Sequence, residues 1–147
     1  MTTFTLIAYA SDWTESCRGC TVDSGSSNFE MKIAYTKDSA TYAYFQLLRQ
    51  AFDENIRYGW DDITVLVNGS VFDELLEGMT TEEHEENVKV VNEIIEHATI
   101  TFNAYKAEHE RLAAEAKRIK EKDAADRKLK IEKELFEKLK VQFEGNS

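Results

Sequence analysis

The chain has 147 residues, 31% of them charged, no proline and a formal net charge of −10. The length fits one small domain with an extension, and the acidic balance repels phosphate backbones, so direct nucleic-acid binding is not expected. No apolar run approaches the roughly 20 residues that cross a membrane, so no membrane contact is expected either.

Met1 to Trp13 lacks a basic n-region and reads as a strand rather than a signal peptide, which places the expected protein in the cytoplasm. Its core, Phe4 to Ala10, is rich in β-formers and gives strand one. Ser11 to Asn28 is polar, carries Gly19 and Gly25, and reads as a long loop. Phe29 to Tyr35 follows, alternating apolar and polar over its first five residues, the pattern of a strand with one wet face. Strands one and two are expected to pair as an antiparallel hairpin. Asp38 or Ser39 is a suitable N-cap for helix one, whose buried stripe is Ala40, Tyr44, Leu47, Leu48, Ala51 and Phe52. Ile63 to Val67 is strand three, closed by the turn signal Asn68-Gly69. Ser70 to Glu77 reads as a short helical turn ended by Gly78.

From Met79 to Glu144 there is neither glycine nor proline, and nearly half of the residues are charged. Thr80 or Thr81 caps this helical region, with Glu83 placed as a capping-box acid three residues after Thr80. From Val88 to Ile119 a seam then recurs at alternating spacings of three and four, with Ala98, His109 and Ala116 among its positions, and its large apolar residues form a stripe suited to oligomerisation: Val88, Val91, Ile95, Phe102, Tyr105, Leu112 and Ile119. Asp123 and Asp126 interrupt it, and a second stripe begins at Leu129 out of phase with the first. A helical hairpin folding back around residues 121–127, or one bent helix, is favoured over a single long coiled-coil rod. The fold class is therefore α+β: a small head over residues 1–78, in which a β-β-α-β unit sets an antiparallel-type sheet against one packed helix, and a charged helical extension over residues 79–147.

Charge follows the same division. Residues 1–79 carry 12 acids and 5 bases, residues 80–105 carry 6 acids and 1 base, and residues 106–147 carry 10 acids and 12 bases. An acidic body with a mixed tail fits a protein partner with a basic surface, a nucleic-acid-binding protein included.

Cys17-Arg18-Gly19-Cys20 is the one sharp local motif. Zinc requires four ligands, and the three histidines, His84, His97 and His109, lie too far apart to form a pair, so a zinc site needs Cys17 and Cys20 from each of two chains. Thiol redox chemistry is the other reading, but the residues after Cys20 do not open a helix that would activate a thiolate. No cofactor is otherwise expected. Within the same loop, Trp13, Glu15, Arg18 and Asp23 combine the residue types that anchor protein interfaces. Tyr42, Tyr44, Phe45, Tyr58 and Trp60 read as packing around helix one, or as a stacking platform for a small ligand. The acid pairs Asp53-Glu54, Asp61-Asp62 and Asp73-Glu74 sit at element ends, where solvated carboxylates are common. No phosphate-cradling glycine loop, nucleophile elbow or His-Glu-x-x-His motif occurs, so no catalytic residue is assigned.

The expected function is a non-enzymatic protein-binding module that self-associates through its helical region. The character of the chain, small, acidic and proline-free with a compact head and charged helical tail, resembles that of virus-encoded accessory proteins that inhibit a host defence or nucleic-acid-processing protein by binding it. No motif carries that likeness. A small-molecule binder or small enzyme with a pocket at Trp13, Tyr44 and Trp60 is the alternative, and the zinc or redox reading of Cys17 and Cys20 is the third.

Overall fold

A computed structural model of the chain describes residues 1–12, 26–53, 60, 62–71 and 77–145. The elements run β1 (Phe4–Asp12), β2 (Ser26–Ala34), α1 (Lys37–Asp53), β3 (Asp62–Val67), β4 (Ser70–Val71) and α2 (Thr81–Glu144). The four strands form one sheet in the order β2-β1-β3-β4, antiparallel throughout. The fold is α+β with a long helical region, as the sequence indicates.

Local chemistry accounts for most boundaries. At the start of α1, the Ser39 backbone N–H donates to Thr36 Oγ1 and the Thr36 backbone N–H donates to Ser39 Oγ, both at 3.1 Å. The cap is thus Thr36, two or three residues before the expected Asp38 or Ser39, because a reciprocal pair satisfies two of the orphan donors of the first turn. Asn68 and Gly69 have positive φ (51° and 82°), the backbone of a two-residue hairpin turn whose twist matches the strands it joins. Ser70 and Val71, leaving that turn, pair as β4 opposite Val67 and Leu66 and so do not open the expected helical turn; residues 72–76 of that expected turn lie outside the described residues. Asn68 also ties down the amino terminus: its side-chain oxygen accepts from the Thr3 N–H at 2.9 Å, and its own N–H donates to the Thr3 carbonyl at 2.7 Å.

At the start of α2, the Thr80 N–H donates to Glu83 Oε2 at 2.9 Å and the Glu83 N–H donates to Thr80 Oγ1 at 3.2 Å. This is the capping box that the sequence predicts. From there α2 runs unbroken for 64 residues. The favoured fold-back at residues 121–127 does not occur: without Gly, Pro or Asn there, every residue keeps helical propensity and nothing terminates the backbone ladder. The helix stops at Gly145, whose N–H donates to the Val141 carbonyl at 3.0 Å.

Two compact units are present, Met1–Ala104 and Tyr105–Ser147. In the first, one face of the sheet supplies Phe4, Leu6, Ala8, Ala34, Val65 and Val67 to a single core with Ala40, Ala43 and Leu47 of α1 and Val91 and Ile94 of α2. Leu6, Leu47, Ile94, Val65 and Val91 are the largest side chains fully withdrawn from water. The many alanines in that core leave room for helix backbones to approach the strands. Phe52 and Phe102 extend it with an edge-on contact at 6.0 Å between ring centroids, and Lys37 pairs with Glu93 at its rim. The first turns of α2 thus belong to the core of the first unit, through Val91 and Ile94.

In the second unit, Leu112, Ile119, Leu129, Leu135, Phe136, Leu139 and Phe143 are all exposed. At 100° per residue, Leu129, Ile131, Leu135, Phe136, Leu139 and Phe143 fall within an arc of about 160°, a broad apolar face. Ion pairs at helical spacing lie along this unit, among them Lys106–Glu110 at 4.0 Å, Lys117–Glu121 at 3.8 Å and Arg111 with Glu108 at 2.7 Å. Solvent screens such exposed pairs, so each contributes little to stability.

Candidate interaction surface

β1 is apolar at both parities. Phe4, Leu6, Ala8 and Ala10 face the helices and are buried, and this choice fixes the facing of every neighbour, since directly paired residues share a face. Thr5 pairs with Ile33, Ile7 with Met31 and Tyr9 with Phe29 on one side. On the other side they pair with Leu66, Thr64 and Asp62. The face away from the helices is thus built in three rows across the sheet: Phe29–Tyr9–Asp62, Met31–Ile7–Thr64 and Ile33–Thr5–Leu66.

The consequence reverses the usual reading of an alternating strand. Phe29, Met31 and Ile33 are the exposed side of β2, at 61%, 55% and 53% of their full accessibility. Glu30 and Lys32, half-buried, lie on the side of the core. Tyr9 and Tyr35 extend the exposed group. Together these five side chains present roughly 500 Å² of surface, the size of the largest apolar patch on a typical monomer and one that often marks a binding site. At the edge of the patch the Thr64 hydroxyl donates to Asp62 Oδ2 at 2.6 Å, which holds a carboxylate beside Tyr9.

The sequence signal for this surface was available in β1. A strand apolar at Phe4, Leu6 and Ala8 and again at Ile7 and Tyr9 has more apolar side chains than one covered face needs. Reading β2 alone could not find it, because its alternation is the same whichever side is wet.

Of the residues singled out from the sequence, Trp13, Glu15, Cys17, Arg18, Cys20 and Asp23 lie outside the described residues, as do Glu54, Tyr58, Asp61, Asp73 and Glu74. The oligomerisation stripe divides. Val91 is wholly buried, and Ile95 is packed against the core of the head. Val88 and Phe102 are half-buried, the latter against Phe52. Tyr105 lies 5.7 Å from the His109 ring, and Leu112 and Ile119 are exposed. Half of the expected stripe is thus spent inside the chain.

Tyr44 and Trp60, proposed as pocket walls, are packed against the core. The Trp60 indole N–H donates to the Leu47 carbonyl at 2.6 Å. Burial, and then the charge of Asp62, raise the Tyr44 phenol above its ordinary pKa. The acid pairs have structural partners where they are described: Asp53 accepts from Arg49 Nε at 3.0 Å, and Asp62 from Thr64. In the acidic run at the start of α2, Glu83 is committed to the cap. A hydrogen bond from Lys37 holds the Glu93 carboxyl below its usual value, and one from Arg111 does the same for Glu108.

Among the described residues no group of three or more His, Cys, Asp or Glu is placed to hold a metal ion, and no helix is long and apolar enough to cross a membrane. Compared with protein families, curated proteins and solved structures, the chain matches none.

Proposed function

We propose that this chain is a non-enzymatic protein-binding module whose docking face is the open side of the sheet, with self-association through the distal part of α2. The observation that carries the first part is the exposed group Tyr9, Phe29, Met31, Ile33 and Tyr35, set on a body in which residues 1–104 hold 18 acids and 6 bases. Aromatic and Met side chains are the types that concentrate binding energy at interfaces, and the acids around them favour and steer a basic partner. In this reading the partner has a basic surface with an apolar centre, and a host nucleic-acid-processing protein is the first class to try. The exposed apolar face of residues 129–143, with Leu112 and Ile119 before it, supports the second part, since a helix with such a stripe lowers its free energy by covering it.

The test uses the full chain as bait in a lysate beside Phe29→Ser/Ile33→Ser, whose exposed positions leave the core intact. Far-UV circular dichroism should be equal for the two baits. One protein held in stoichiometric amount by the wild type and lost from the variant supports the reading. Equal retention by both, or retention by neither, rejects the sheet face as the docking site.

A further inference from the structure

The two edges of the sheet are built differently. β4 has two residues, the kind of short edge that resists pairing. β2 has nine, without proline, and its nine consecutive pairs with β1 contain no bulge. Among the described residues no strand pairs with its outer edge, so that edge offers a long, regular row of backbone donors and acceptors, the arrangement that templates addition of another strand.

The side chains of β2 specify which strand. Glu30 and Lys32 are two residues apart on the core side, with Met31 between them on the open side. Antiparallel pairing of β2 with itself about a two-fold axis at Met31 sets Glu30 opposite Lys32 of the second copy, and Lys32 opposite its Glu30. On the open side it sets Phe29 opposite Ile33 and Met31 opposite Met31. Opposite-charge and aromatic–β-branched pairs are the favourable cross-strand combinations. Moving the axis by one residue in either direction sets Glu30 against Glu30 or Lys32 against Lys32, which is unfavourable. The sequence of the edge is thus self-complementary in one register.

We propose that β2 is a self-pairing edge: two copies of this chain join antiparallel about a two-fold axis at Met31, continuing the sheet from one copy into the other. The axis stands perpendicular to the sheet, so both open faces lie on the same side and their apolar groups become contiguous. The proposal is independent of self-association through α2, and its test reads position along the strand, not mass.

Single cysteines at Met31 and at Ile33, which are about equally exposed, are introduced into the full chain and oxidised mildly, and peptide mapping identifies the bonded pair in the presence of Cys17 and Cys20. In the proposed register two Cβ atoms at position 31 lie within disulfide range, whereas those at position 33 are several residues apart. Met31→Cys is expected to give about tenfold more 31–31 disulfide than Ile33→Cys gives 33–33 disulfide. Mixing Ile33→Cys with Phe29→Cys is expected to recover a 29–33 bond. Adding Lys32→Glu to Met31→Cys should suppress the bond, and adding Glu30→Lys as well should restore it. Equal yields at 31 and 33, no bond at 31, or a yield indifferent to both charge changes would overturn the proposal.

Discussion

The two parts of α2 share one unbroken backbone, yet their apolar side chains have opposite fates. Residues 81–104 place Val91, Ile94 and Ala98 out of contact with water. Residues 105–144 leave Leu112, Ile119, Leu129, Phe136 and Phe143 exposed to it. The heptad-like spacing runs across the boundary without a change, so spacing alone does not say whether a stripe is core or interface. What separates the parts is the presence of a sheet and α1 for the first part to cover.

The same substitution made on each side of Ala104 separates the two parts most clearly. Ile94→Ala should cost about 2–5 kcal/mol in chemical denaturation, since it empties a fully enclosed site. Ile119→Ala should stay within about 0.5 kcal/mol for the head. Leu112→Asp/Ile119→Asp should lower the solution mass by light scattering while leaving the head's unfolding midpoint unchanged. Equal destabilisation by the two alanines would mean that the distal stripe is also packed within the fold. Phe102, by contrast, is a poor probe of association because it packs on Phe52 inside the head.

A smaller effect sharpens the boundary at the other end of the first part. Thr80→Ala removes the capping-box hydroxyl and should cost about 1 kcal/mol. Hydrogen exchange should rise first in the opening turns of α2 and not beyond Ala104. The smallest effect is a pH dependence confined to the head. The Tyr44 phenol is raised in the folded state, so its contribution to stability is complete below about pH 10 and is lost as pH rises through the raised value. Tyr44→Phe should remove that part of the alkaline loss, seen as a flatter thermal midpoint against pH, while the distal helix signal stays the same.

Legibility differed by element. The Asn68-Gly69 turn and the Thr80–Glu83 cap were readable because each is decided by residues within a few positions of one another. The type of each long element was readable from period and from the lack of helix breakers. The start of α1 was misplaced by two or three residues, because Thr36 and Ser39 cap each other and Asp38 looks equally suitable. The candidate surface was the least legible. Its strongest residues, Phe29, Met31 and Ile33, carry the pattern of a buried strand face, and only their pairing with Ile7 and Tyr9 turns them outward.

Sequence properties were enough to place a small α+β head before a long charged helix, to put that helix's cap at Thr80 or Thr81, and to show that the body is acidic. Propensity, capping and charge are local or additive properties, so no neighbour in space is needed to state them. Which face of β2 meets solvent, where along α2 the core ends, and which strands bound the sheet among the described residues are settled only by the tertiary structure. Those outcomes depend on pairing register and on which surfaces meet across the fold, and one residue of register exchanges the two faces of a strand.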